Sequence, residues 1–435
     1  MLYRWCLYNK KTSLDMMKRT YSILALAALT AAGAQAATLS QQIDSMVDSV
    51  KKGLVAYENE DTFVQKVRFA WREQFQVAVV QPNGSNSLHL KKGASPVNQE
   101  FRRSWLGVTV DTASDTTFHT WVRVGGLPAR ETYSDGRTKR NFTYTNIYEI
   151  WVKQNIRPVK GLSVQVGKII STDDITSIAA IYCPEYALTS LQFGQDSNWG
   201  VDITYAPDKK NKVYVQLMAN DLASASKSMT HSDVYRDGRG AKGEFGWEDK
   251  CFINLGVNHR FVESDNGYQQ IVAYYLHDFN NAYHSRRAPG ANNYGPGFKD
   301  AISLGYEAKV DRILFLGDLI FAFEQQEGNG TNNIGLLLQP VYTLTPHVDL
   351  VLRYVGMTGH GACMLGADRY ITTQTTAPGW VDSIHTFYVG ANFYASAKDK
   401  NALKLMLGAE YTTARKGGSD CYNGWEFTTS VRWSF

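Results

Sequence analysis

From residue 63 onward the chain alternates apolar and polar positions. In "FVQKVRFAWREQFQVAV" (63–79) Phe63, Val67, Phe69, Trp71, Phe75, Val77 and Val79 share one parity. Lys66, Arg68, Arg72, Gln74 and Gln76 share the other. A period of two marks a strand with one apolar and one polar face. In a soluble sheet the apolar face is the core and the cations meet solvent. In a transmembrane barrel the apolar face meets lipid and the cations line a pore.

About sixteen such segments follow one another, near 63–79, 100–110, 116–125, 142–154, 162–170, 198–206, 212–220, 251–261, 268–278, 300–309, 314–324, 333–343, 347–356, 381–394, 401–412 and 424–435. Most have the length a tilted strand needs to cross a bilayer. "KVYVQLMAN" and "ALKLMLGAEYT" alternate cleanly, whereas "ILFLGDLIFAF" (313–323) is nearly apolar on both faces. The connections decide between the two environments. Short ones (111–115, 155–161, 207–211, 262–267, 310–312, 344–346, 395–400) alternate with long ones (80–99, 126–141, 171–197, 221–250, 279–299, 325–332, 357–380, 413–423). Tight turns at one rim and long loops at the other are the plan of an outer-membrane barrel, and closure satisfies every backbone group in lipid. The expected fold is all-β, a transmembrane antiparallel up-and-down β-barrel of about 16 strands over 63–435. Its last strand, "WEFTTSVRWSF", ends in a terminal Phe, as bacterial outer-membrane proteins do.

Ahead of the strands the period changes. Leu39, Ile43, Met46, Val50 and Leu54 recur every three or four residues, which predicts a short periplasmic helix within 37–62, with a brief coiled-coil seam as one use for it. The apolar run "YSILALAALTAAGAQAA" (21–37) follows Lys18 and Arg19 and closes on Ala34-Gln35-Ala36, the pattern of a cleaved secretory signal. That gives a signal peptide over 16–36, starting at Met16 or Met17, and makes 1–15 a gene-start extension. Composition agrees: 20% charged and 44% hydrophobic residues exclude a helical membrane protein and a disordered chain. The 25 Tyr and 10 Trp suit membrane interfaces. The formal charge of +4 belongs to the leader, which carries Arg4, Lys10, Lys11, Lys18 and Arg19 against Asp15. Charge effects in the mature chain therefore come from placement.

Parity places Lys66, Arg68 and Arg72 of the first strand, Arg103 of the second, Arg123 (with His119 and Trp121) of the third and Arg432 of the last in the lumen. These strands are neighbours in a closed barrel, so the residues form one basic wall. Glu307, Asp318, Glu324, Asp349 and Glu410 stand at lumen parity on later strands. The long connection 171–197 is the candidate constriction loop folded into the pore; it brings Asp173, Asp174, Glu185 and Asp196 but no Lys or Arg. The cysteines left after the leader fall in long connections, and an exported chain can oxidise them. Cys363–Cys421 and Cys183–Cys251 are the expected staples. No spacing suggests a metal site.

"EFRRSWLGVTVDTASDTTFHTWVRV" (100–124) resembles the Arg-rich strand-turn-strand opening of the phosphate-selective porin O and P family. "YEIWVKQNIRPVKGLSVQVGKII" (148–170) is similar to that family's fourth and fifth strands, which end in V-G-K before a long inward loop. The resemblance covers mainly 63–205. It implies a homotrimeric porin in the outer membrane, in contact with lipid and lipopolysaccharide, needing no cofactor and drawing small anions along a basic ladder. The acidic constriction loop departs from a phosphate-selective pattern and is closer to the transverse field of general diffusion porins. The expected function is passive diffusion of small hydrophilic solutes and ions with a mild anion preference, phosphate being the anion the resemblance implies.

The alternative is a surface receptor or adhesin whose long loops bind a partner; 279–299 carries Tyr283, Arg286, Arg287 and Tyr294. No GxSxG or HExxH marks an enzyme. The segment between leader and barrel is too short for the plug of an active transporter. The cations sit at lumen parity rather than in a nucleic-acid-binding cluster.

Overall fold

The computed structural model describes residues 34–83, 90, 95–124, 130–132, 138–140, 147–170, 175–185, 187, 189, 197–218, 251–279, 299–323, 332–359, 365–366, 371, 375 and 380–435. Sixteen strands among them form the barrel: β1 (Val64–Pro82), β2 (Val97–Thr112), β3 (Thr116–Arg123), β4 (Ile147–Asn155), β5 (Leu162–Ile170), β6 (Ser197–Tyr205), β7 (Asn211–Met218), β8 (Phe252–Ser264), β9 (Gly267–Asp278), β10 (Asp300–Val310), β11 (Ile313–Phe323), β12 (Asn332–Thr345), β13 (Val348–Gly359), β14 (Ser383–Tyr394), β15 (Leu403–Lys416) and β16 (Ser419–Ser434). Each pairs antiparallel with the next, and β16 returns to β1, with Gln74 opposite Arg432 and Val77 opposite Thr429. Closure pairs the sheet edges, which hydrocarbon would otherwise leave unsatisfied.

The pleat sorts the side chains as the alternation predicts. Phe69, Leu106, Ile150, Val166, Val215, Leu304, Leu352 and Phe387 are exposed on the outside. At the opposite parity Gln74, Gln76, Asn254, Asp318, Gln339, Asn392 and Ser430 are buried inside. The lower end of β1 extends past the C-terminus. There a four-residue strand, Val55–Glu58, pairs with residues 66–68, while Trp71 and Phe435 exchange backbone hydrogen bonds of 2.9 and 2.8 Å above it. The added strand covers an edge that β16 is too short to reach.

Three expectations change. The N-terminal helix α1 (Ala34–Gly53) ends earlier than the 37–62 span, because Leu54 leads directly into that edge strand. The helix lies against the β14–β15 turn: Val47 is buried, Ser396 bonds Asp44, and Lys51 pairs with Asp399. The expected long connection 413–423 is a two-residue turn. Gly417 and Gly418 take φ of +59° and +76°, the left-handed pair that a tight hairpin needs, so β15 and β16 continue on either side of it. Finally, the lumen is not polar throughout. Phe252, Leu276, Leu316, Ile320, Met357 and Ile384 share the inward parity and are wholly buried in one apolar cluster with Ile175 and Ala179. This explains the two-sided pattern of β11: lipid takes one face and a packed lumen takes the other.

Candidate pore constriction

The segment after β5 folds inward. Its short helix α2 (Ile175–Ala179) packs on β10 and β11, where Gly305 makes room: a Cβ there would lie 2.4 Å from Ile175 Cγ1. From α2 the chain follows the wall toward β1, and seven successive carbonyls each accept a hydrogen bond from a lumen side chain. Gln339 Nε2 donates to Ala179 O (3.0 Å) and Arg432 Nη1 to Ala180 O (3.3 Å). Ile181 O receives both Lys404 Nζ (2.7 Å) and Arg432 Nη1 (3.3 Å). Asn392 Nδ2 donates to Tyr182 O (3.0 Å), Arg432 Nη2 to Cys183 O (3.0 Å), Gln74 Nε2 to Pro184 O (2.9 Å) and Arg353 Nη1 to Glu185 O (3.1 Å). A non-helical, non-sheet backbone buried in a barrel has no ladder to satisfy it, so its carbonyls take donors from the wall. Arg432 of the basic wall, together with Lys404 and Arg353, is therefore engaged by peptide dipoles.

Each sequence-predicted residue has a definite place. Arg432 is the chief anchor of the segment and also donates to Gln74 Oε1 (2.8 Å). Arg103 is buried and bonds the same oxygen. Lys66 and Arg68 sit at the short-turn rim, paired with Glu58 (2.5 Å) and Asp111 (3.3 Å). Arg72 and Arg123 lie over the lumen rings of β2–β4, and Arg72 Nε also lies 3.5 Å from Ser434 Oγ. Glu185 is buried; Arg102 Nε lies 3.2 Å from both its oxygens, and Gln76 donates to it. Asp173, Asp174 and Glu324 lie outside the described residues, as does Asp196. The lumen acids on later strands are paired: Asp349 with Lys400 (2.7 Å), Glu410 with Arg353 (2.8 Å), Glu307 with Tyr268 and Gln270, Asp318 with Ser303.

Arg102, Arg353 and Lys404 belong to this site and were missed as site residues. Arg353 and Lys404 were legible by parity. Arg102 was not: between Gln74 and Phe75 the register with β2 slips by one residue, so two neighbouring arginines both turn inward.

The expected disulfides are absent. Cys183 lies inside the barrel against Val341, Val351 and Tyr388, its thiol 3.6 Å from Gln339 Oε1, so it does not bridge to Cys251 at the start of β8. Cys421 is a thiol within β16, bonded to Ala414 O (3.3 Å), and not a loop staple to Cys363, which lies outside the described residues. Burial pushes the Cys183 thiol above its ordinary pKa, disfavouring the reactive thiolate. Iodoacetamide at neutral pH should leave Cys183 unmodified in the folded barrel and label it after denaturation. Peptide mapping that found it alkylated in the native state would contradict this packing.

No protein-family model and no curated protein matches the sequence. Solved structures do match the fold. Pseudomonas putida OprB at high pH superposes with a TM-score of 0.54 at 12% identity, over 85% of this chain and 94% of that one. The outer membrane channel DcaP of Acinetobacter baumannii gives 0.51 at 11% identity, over 88% and 100%. The chain has the fold of an outer-membrane β-barrel. At these identities the likeness is one of architecture: sixteen strands, an apolar belt and a lumen. The residues that fill this lumen are the chain's own.

Proposed function

We propose that the protein is a porin that passes small hydrophilic solutes and ions passively, with a mild preference for anions. The observation that carries this reading is the segment 175–185, which enters the lumen and is held along the wall by side-chain donors of β12–β16 and β1. Such a segment narrows a sixteen-stranded barrel, which is otherwise wide enough for an aqueous channel. Acids of the later strands are paired with Lys400, Arg353 and hydroxyl or amide donors. Arg72 and Arg123 add positive charge to the β1–β4 wall, and side-chain charge along a hydrated path sets ion preference. Phosphate is one candidate anion, from the resemblance of 100–124 and 148–170.

Residues 16–36 act as the export signal, α1 lies at the periplasmic rim, and the long loops meet lipopolysaccharide. Assembly as a homotrimer agrees with the porin architecture and with Met46 and Val50 exposed on α1.

The test is the zero-current potential of the refolded protein in a planar bilayer under a KCl gradient. A chloride-leaning potential that weakens in Arg72→Ala supports the anion preference. A conductance without ionic preference leaves a general diffusion pore. A second reading, a receptor barrel with its outer mouth closed, is favoured by the apolar cluster around Phe252, Leu276 and Met357. A correctly folded barrel with no conductance would put that reading first.

A further inference from the structure

On β1–β4, away from the carbonyl ladder, the lumen wall carries a second arrangement. Trp105 of β2 stacks on Tyr148 of β4, ring centroids 4.5 Å apart and planes at 28°. Arg72 lies over Trp105 (5.3 Å to the centroid) and Trp121 (5.8 Å); Arg123 lies over Trp105 (5.9 Å) and Tyr148 (5.3 Å). Two guanidiniums and three rings thus interleave. Gly107 lets Trp121 lie against the backbone of β2, since a Cβ there would sit 3.0 Å from its ring. A guanidinium held over a ring by cation–π attraction keeps N–H groups at its edge, and such an edge grips carboxylate or phosphate.

One atom in this arrangement has no partner. Trp105 is 5% exposed, and its indole Nε1–H makes no hydrogen bond. A buried donor without an acceptor is destabilising, and an incoming oxygen removes that cost. The neighbouring Gln74, Arg103 and Arg432 each have an acceptor.

We propose that Arg72, Trp105, Trp121, Arg123 and Tyr148 form a binding subsite for organic anions with a flat apolar body, the aromatic carboxylates being the simplest class. The carboxylate takes guanidinium N–H groups and the Trp105 indole N–H, and the ring takes its place among Trp121 and Tyr148. A small inorganic anion satisfies only the first half of this site, and a neutral sugar only the second. The subsite rests on the porin reading for access to the lumen and names a solute class within it.

The experiment is an equilibrium titration, by calorimetry in detergent, of the full folded barrel with benzoate, inorganic phosphate and a neutral methyl glucoside. Benzoate is expected to bind at least about tenfold more tightly than either of the others, since the ring and the charge contacts each contribute roughly 1–2 kcal/mol. Trp105→Phe keeps the ring and removes the N–H, and is expected to weaken benzoate about fivefold. Arg123→Gln is expected to weaken it tenfold or more. Equal affinity for phosphate and benzoate, equal affinity for the glucoside, or a Trp105→Phe barrel that binds benzoate unchanged would each overturn the proposal. Because binding is read without ion flow, a barrel that conducts but ignores benzoate refutes the subsite alone. A barrel that binds benzoate but does not conduct refutes the pore reading alone.

Discussion

Arg432→Met should release the infolded segment from the wall. This one guanidinium donates to Ala180, Ile181 and Cys183 carbonyls and to Gln74, and it is 8% exposed. A charged hydrogen bond contributes about 1.5–3 kcal/mol, and the four share one side chain, so the expected loss is about 3–5 kcal/mol rather than their sum. The loss falls on the segment more than on the barrel, because Lys404, Asn392, Gln339 and Arg353 keep the rest of the ladder only in part. Two readouts follow. Native hydrogen exchange across 175–185 should accelerate while the exchange of β12–β15 stays slow. Single-channel conductance should rise and become noisier as the segment leaves its track. Arg432→Lys keeps the charge but presents three donors from one nitrogen, and cannot reach three carbonyls and Gln74 in a fork; it should fall between wild type and Arg432→Met. If both variants exchange and conduct like wild type, the ladder does not hold the constriction.

The sequence revealed the barrel far better than its lumen, for a physical reason. Alternation is a local property: Phe69 and Arg72 declare their faces from the pleat alone, and closure follows from lipid. The inward turn of Arg103, Arg123 and Arg432 was legible in the same way. What Arg432 binds was not, because its partners are mostly main-chain carbonyls, which leave no trace in residue type. The segment 175–185 carries only one acid, Glu185, yet offers seven partial negative charges in a row. Side-chain counting read it as acidic and missed the dipoles. Arg102 was hidden for a related reason: a bulge shifts parity by one, and the pair Arg102-Arg103 reads the same in either register. The Cys183–Cys251 staple fails because Cys183 packs against Val341, Val351 and Tyr388 inside the barrel, and Cys421 lies within β16 because the connection before it is a two-residue turn.

Arg353 is the sharper test of whether buried lumen charge serves structure or selectivity. It is 4% exposed, paired with Glu410 at 2.8 Å, bonded to Glu185 O at 3.1 Å and set 5.2 Å from the Tyr388 ring. Removing one partner of a buried ion pair strands the other, at a cost of about 3–5 kcal/mol. Arg353→Met should therefore lower the urea midpoint and the temperature at which the barrel shifts on an unboiled gel. Glu410→Gln keeps an acceptor for the guanidinium and should cost less. The double variant Arg353→Met with Glu410→Leu removes both charges and should recover most of the loss, leaving mainly the orphaned Glu185 carbonyl. A strong positive coupling in that cycle, with ion preference unchanged, assigns this pair to holding the wall. If Arg353→Met leaves stability intact and instead shifts the zero-current potential, the pair faces the ion path and the constriction lies elsewhere in the lumen.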